Sequence, residues 1–207
     1  MKILLTAFDP FGGESVNPAE EAVKQVTAPA GVELRKLTVP TVFGKSIASV
    51  AAELQNEDYA AVLCIGQAGG RSELTVERVA INVNDAAIPD NAGIQLTDTP
   101  IAEDGPAAYF ATLNVKALVE GIKKAGVPAS VSNTAGTFVC NHLLYGVLHS
   151  LERSGGSTRA GFIHVPYIPA QVLDKSGKPS MELCTIVRGI EAALAAIADD
   201  ISAQTAL

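Results

Sequence analysis

Clustered basic charge is what this chain has least of. Fifteen Lys and Arg face 22 Asp and Glu, for a formal net charge of −7. Phosphate backbones are bound by massed Lys and Arg, so a nucleic-acid partner is not expected. The Lys123-Lys124 pair falls at a predicted helix end, where cations suit the helix dipole. Cysteine is also scarce: there are three, with no C-x-x-C spacing. That argues against a disulfide framework and a structural zinc site, and for a reducing compartment. The N-terminal apolar run from Met1 reaches Asp9 too soon for a signal-peptide core, and no apolar run is long enough to span a bilayer. A soluble cytoplasmic protein is expected. Neither a G-x-G-x-x-G fingerprint nor a P-loop occurs, and nothing calls for a metal or a cofactor. Internal repeats, low-complexity tracts and linker-like boundaries are missing too, so residues 1–207 read as one domain with ample length for a core.

What remains is an alternation of short apolar runs and amphipathic segments. Strands are predicted at Lys2 to Phe8, Val32 to Val39, Ala60 to Ile65, Ala129 to Ser132 and Arg159 to Val165. A further run, Thr75 to Val83, alternates so that Glu77 shares a face with Val79, Ile81 and Val83. Helices are predicted from Pro18, around Ile47 to Leu54, around Val115 to Ile122, from Cys140 to Leu151 and from Met181 to about Ala203. Asn84 to Pro106 is a long polar stretch of the kind that serves as a lid or an interface. Such alternation predicts an α/β fold with helices on both faces of the sheet. Ligands in such folds sit outside the carboxyl ends of the strands, where Asp9-Pro10-Phe11-Gly12-Gly13, Gly66 to Arg71, the turn before Cys140 and His164 are all expected.

Cys140 stands at a predicted helix N-terminus, where backbone N–H groups and the dipole favour a thiolate. It equally fits a small buried apolar residue. A thiolate attacking a carbonyl needs a base. Of the three histidines, His142 lies two residues along the same helix and points elsewhere, and His149 is too distant along it. His164 comes from a separate strand end and is the choice on geometry. Glu77, a carboxylate on an apolar face, needs a partner; it is the candidate to orient the imidazole. It also fits a plain salt bridge. The Cys140 N–H is the expected oxyanion donor. Cys64 and Cys184 read as structural, and Phe8 and Phe11 on their own read as core.

Five runs then fit together: Phe8-Asp9-Pro10-Phe11-Gly12-Gly13, Gly66-Gln67-Ala68-Gly69-Gly70-Arg71, Glu77-Arg78-Val79-Ala80-Ile81-Asn82, Thr134-Ala135-Gly136-Thr137-Phe138-Val139-Cys140-Asn141-His142 and Gly161-Phe162-Ile163-His164-Val165-Pro166-Tyr167. Together, from Thr6 to about Pro169, they resemble the pyrrolidone carboxyl peptidases (pyroglutamyl peptidase type I). The resemblance implies a cysteine peptidase that removes N-terminal pyroglutamate from peptides. It implies Cys140 as nucleophile, His164 as acid and base, and Glu77 as orienting carboxylate. It further implies a three-layer α/β/α open sandwich around a mostly parallel or mixed twisted sheet, a homotetramer, and a ring pocket at Phe8, Phe11, Gln67, Phe138 and Val139. Aromatic faces suit the lactam ring, and an amide suits its polar edge. Where many relatives carry Arg, this chain has Ala87. Two other readings are a different Cys-His-Glu acyl transferase, against which Phe138 and His142 stand where a nucleophile elbow has glycines, and a non-catalytic binder of the lactam.

Overall fold

The structure is a computed structural model and describes residues 1–205. Its elements run β1 (Lys2–Phe8), α1 (Pro18–Gln25), β2 (Glu33–Val39), α2 (Lys45–Asn56), β3 (Ala61–Gln67), β4 (Leu74–Glu77), β5 (Val79–Ile81), β6 (Ala108–Phe110), α3 (Val115–Lys124), β7 (Ala129–Ser132), α4 (Val139–Ser154), β8 (Arg159–Val165), a 3₁₀ turn (Pro169–Val172) and α5 (Leu183–Thr205). Six strands form a mixed sheet in the order β2-β1-β3-β8-β4-β7. The first four are mutually parallel. β4 pairs antiparallel with β8 and parallel with β7.

Packing explains the layers. β3, an unbroken apolar run, is buried along its whole length in the middle of the sheet. Leu63 and Ile65 pack on one face with Ala19 and Val23 of α1, Leu118 and Ile122 of α3, and Ile186 and Leu194 of α5. Val62 and Cys64 pack on the other face with Val50 of α2 and Leu143 and Leu144 of α4. The result is the expected α/β/α sandwich, with α1, α3 and α5 on one side and α2 and α4 on the other. Asn17 caps α1 by accepting from the Ala19 N–H at 3.0 Å, and Pro18 follows at a position that needs no N–H donor.

The expected continuous strand from Thr75 to Val83 breaks at Arg78. The Arg78 N–H bonds Ser132 and its carbonyl accepts from Ala111. Beyond that point the chain leaves the main sheet, and β5 pairs with β6 in a two-stranded ribbon. Glu77 therefore does not share a face with Val79, Ile81 and Val83; it ends β4 opposite Phe162 of β8. β6 had no visible signal in the sequence, being three residues long with Phe110 70% exposed. Cys184 is exposed, so of the two cysteines read as structural only Cys64 is buried. No helix among the described residues is long and apolar enough to cross a membrane.

The stretch from Asn84 to Pro106 has no helix or named strand, yet polar side chains hold it closely. Asn82 Oδ1 accepts from the N–H groups of Ile101 and Ala102. The buried Asp90 carboxylate accepts from Phe43, Ala92 and Ile94, and these backbone bonds hold it below its ordinary range against the effect of burial.

Candidate active site

β4 and β7 run against the other strands, so the turn after Ser132 does not start from the shared carboxyl edge. β7 is only four residues long, and the turn brings α4 back across the sheet. The arrival point is marked by Gly66: a Cβ there would lie 2.7 Å from Phe162 Cζ and 3.0 Å from Cys140 Sγ. Only glycine lets the thiol come this close to β3. Gly66 is the register partner of His164, and His164 pairs in turn with Thr75 of β4. The nucleophile candidate thus stands over the strand beside its histidine.

His164 is 3% exposed, and its Nδ1 lies 2.7 Å from Oε1 of the fully buried Glu77. Nδ1 then carries the proton toward Glu77, which leaves Nε2 as the acceptor for a thiol proton. Burial lowers the His164 pKa, with Glu77 opposing. Glu77 stays below the ordinary carboxylate range although burial pushes it up, because His164, Ser132 and Arg71 all favour its charge. The salt-bridge reading of Glu77 is thus also realised, since Arg71 Nη1 lies 2.6 Å from the same Oε1.

The thiol corrects an expectation. Burial, reinforced by the Glu77 charge, pushes Cys140 up to about 12, against the pull of the helix terminus. These directions favour a thiol beside a neutral imidazole over a thiolate–imidazolium pair. Cys140 is the second residue of α4, and Phe138 provides no side-chain cap. First-turn N–H groups, including that of Cys140, remain for an oxyanion.

Other residues hold the turn in place. Thr137 Oγ1 donates to the Asp85 carbonyl at 2.7 Å, and the Asp85 N–H donates to Thr137 O at 2.9 Å. Asn91 Nδ2 donates to Pro10 O at 2.8 Å, so the long loop also grips the Phe8–Gly13 turn. Asn141, fully buried, bonds both backbone groups of Ile81. His142 Nδ1 donates to Asn84 Oδ1 at 2.8 Å, and its Nε2 accepts from the Gly44 N–H at 2.9 Å.

His142 gives a pH prediction. Burial lowers its pKa to about 4 from an ordinary 6.5. Between those values the unfolded chain binds more protons, so stability falls as pH drops through that window. The loss is about 3 kcal/mol by pH 4. Unfolding free energies of the wild type and His142→Gln at pH 7 and pH 4 should shift by that amount in the variant's favour. An unchanged difference would mean that His142 is not held neutral.

The proposed pocket residues divide. Phe11 and Phe138 come together, with ring centroids 6.1 Å apart, and Val139 follows directly. Phe43, which the sequence reading missed, meets Phe138 edge-on at 5.6 Å. Phe8 is 2% exposed and packs on Phe162. Gln67 follows Gly66 as the last residue of β3. Its Oε1 accepts from Gln171 Nε2 at 3.0 Å. Gln171 in turn is held by Val16 and Ile168, and it was not visible in the sequence. Arg71 ends the glycine-rich run after β3, where sequence spacing assigns it no role. Ala87 is exposed on the long loop. Among the described residues no cluster of three or more His, Cys, Asp or Glu could hold a metal ion.

Comparison with known proteins gives the chain a family. The family model described as pyroglutamyl peptidase matches residues 1–200. A pyrrolidone-carboxylate peptidase of Staphylococcus haemolyticus is 56% identical, covering 100% of this chain and 98% of that protein. One from Thermoanaerobacter sp. (strain X514) is 55% identical over 96% of this chain and 98% of its own length. The crystal structure of Bacillus amyloliquefaciens pyroglutamyl peptidase I superposes with a TM-score of 0.92 at 50% identity, covering 96% of this chain and 97% of that one. A variant of the Pyrococcus furiosus pyrrolidone carboxyl peptidase does so at 0.93 and 36% identity, over 97% and 99%. The chain belongs to the pyroglutamyl peptidase family of cysteine-type peptidases.

Proposed function

We propose that this chain hydrolyses the amide bond after an N-terminal pyroglutamyl residue, through an acyl-enzyme on Cys140. The observation that carries the proposal is the buried 2.7 Å contact of Glu77 with His164, on a strand whose register partner, Gly66, lies under the Cys140 thiol. His164 Nε2 takes the thiol proton as sulfur attacks the carbonyl carbon. It returns that proton to the departing amine nitrogen when the C–N bond breaks. Water then attacks the thioester as His164 accepts its proton, and His164 returns that proton to the Cys140 sulfur as the C–S bond breaks and free pyroglutamate leaves. The negative oxygen of each tetrahedral intermediate is met by the Cys140 N–H. With Ala87 in the long loop, no arginine stands at that position to help.

Phe11, Phe138 and Val139 form the ring site in this reading, with Phe8 backing it. Gln67 serves the lactam edge from the end of β3, its amide held by Gln171. Residues 1–207 act as a single catalytic domain without a cofactor. The cytoplasm, peptide substrates and a homotetramer are the expected setting, and the charge of −7 supports the lack of a nucleic-acid partner. The long loop from Asn84, with Ile88 and Ile94 each 43% exposed, is the proposed contact in assembly.

The test is a substrate panel of pyroglutamyl, prolyl and glutaminyl arylamides under reducing conditions. Release should be confined to the pyroglutamyl compound, at least about 100-fold faster than the others, because the charged amines of the others leave the pocket's polar groups unpaired. A folded protein inert toward all three, yet binding free pyroglutamate, would establish the binder reading instead.

A further inference from the structure

We propose that Arg71 is a positioning residue for the reaction: it bridges the orienting carboxylate of Glu77 to the turn that carries the nucleophile. The proposal rests on the reading of Glu77 as the residue that orients His164.

Arg71 reaches the centre from the loop after β3. Its Nη1 lies 2.6 Å from Glu77 Oε1, the oxygen that also accepts from His164 Nδ1 at 2.7 Å. The same nitrogen bonds the hydroxyl of Thr75, the register partner of His164. Nη2 donates to the carbonyl of Thr134 at 3.2 Å, in the turn that leads to Cys140. One planar guanidinium thus touches the carboxylate, the strand opposite the histidine and the turn before the thiol. Its fork of donors fixes their spacing as an ammonium could not.

Charge gives the second reason. Glu77 is 0% exposed, and its Oε2 is buried with no hydrogen-bond partner. The titratable or charged groups around it are His164 from β8, Cys140 from α4 and Arg71; β7 offers only the Ser132 hydroxyl. Of these, Arg71 alone is a permanent cation. A buried carboxylate without one tends to take up a proton. A protonated Glu77 would donate to Nδ1 and force the histidine proton onto Nε2, the position that must accept from the thiol. Arg71 therefore keeps Glu77 an acceptor, and through it keeps the imidazole in the working tautomer. At 28% side-chain exposure, Arg71 is close enough to solvent for a small cation to replace it.

The experiment measures kcat and KM for a pyroglutamyl arylamide from pH 5 to 9 for the wild type, Arg71→Ala and Arg71→Lys, with melting temperatures alongside. Arg71→Ala should lower kcat about 100-fold, the scale of a misplaced catalytic group, with KM little moved and the acidic limb of the profile shifted upward. Guanidinium ion at non-denaturing concentration should restore much of the loss. Arg71→Lys should keep the limb in place and recover part of kcat. A well-folded alanine variant with wild-type kcat and limb would overturn the proposal. So would a loss that follows melting temperature alone, with the limb unmoved and no response to guanidinium. Should the alanine variant fail to fold, Arg71→Gln keeps hydrogen-bond donors without the charge: a raised limb supports the proposal and an unmoved limb overturns it. A wild type inert in this assay would sink the peptidase reading itself, a separate outcome read in the same plate.

Discussion

Cys140→Ser is expected to lower kcat toward a pyroglutamyl arylamide by about 10⁴-fold or more. The alcohol is a far weaker acid than a thiol, and the base available to it is a neutral imidazole whose proton affinity burial has already lowered. The thiol itself sits high, at about 12, for the same reason. The wild-type pair bridges that gap because sulfur is intrinsically nucleophilic and gives up its proton as the C–S bond forms. Oxygen has no such compensation. Substrate binding should survive, since the proposed ring site at Phe11 and Phe138 does not include the sulfur. Equilibrium binding of pyroglutamate, measured beside turnover, separates the two effects. A serine variant within tenfold of the wild type would place the nucleophile elsewhere.

Glu77→Gln is the second large effect, a loss of about 10³–10⁴ in kcat with KM nearly unchanged. The amide has the volume of the carboxylate but not its symmetry of acceptors. If its nitrogen faces His164, Nδ1 must accept, and the ring proton moves to Nε2. If its oxygen faces His164, the tautomer survives but the imidazolium that forms during attack lacks a counter-charge in a buried place. Arg71 loses its counter-charge in either case. Steady-state kinetics with a melting curve decide this. A variant with the wild-type melting temperature and less than a tenfold drop in kcat would show that Glu77 is only a structural ion-pair partner.

Much of this site could be read before any coordinates, for local reasons. Lys2 to Phe8 and Ala60 to Ile65 read as near-continuous apolar runs, which a central strand can use on both faces. The apolar stripe from Leu143 to Leu151 follows a Gly-bearing turn, so a cysteine near a helix start needs no tertiary information. Elimination among three histidines singles out His164; the shared face with Val79, Ile81 and Val83 that singles out Glu77 is lost at the break after β4, and the burial of Glu77 comes from β4 itself.

Other features depended on which strands are neighbours and in which direction they run. The break at Arg78 follows from pairing with β6, a partner that Thr75 to Val83 cannot announce. The reversal of β4 against β8 sets Glu77 opposite Phe162 and within reach of His164. Arg71 lies six residues before Glu77, a spacing with no meaning on a helix or a strand, and only the turn between them brings the charges together. Gln171 meets Gln67 across 104 residues of sequence. The thiol shows the difference most directly. Its place at a helix terminus is local and argues for a low pKa, whereas its burial against β3 is tertiary and argues for a high one. The sequence by itself determined the types of the candidate reacting groups and the layers that carry them. Their protonation states, and the contacts that hold Glu77, were decided by the tertiary structure, because desolvation and charge pairing depend on neighbours distant along the chain.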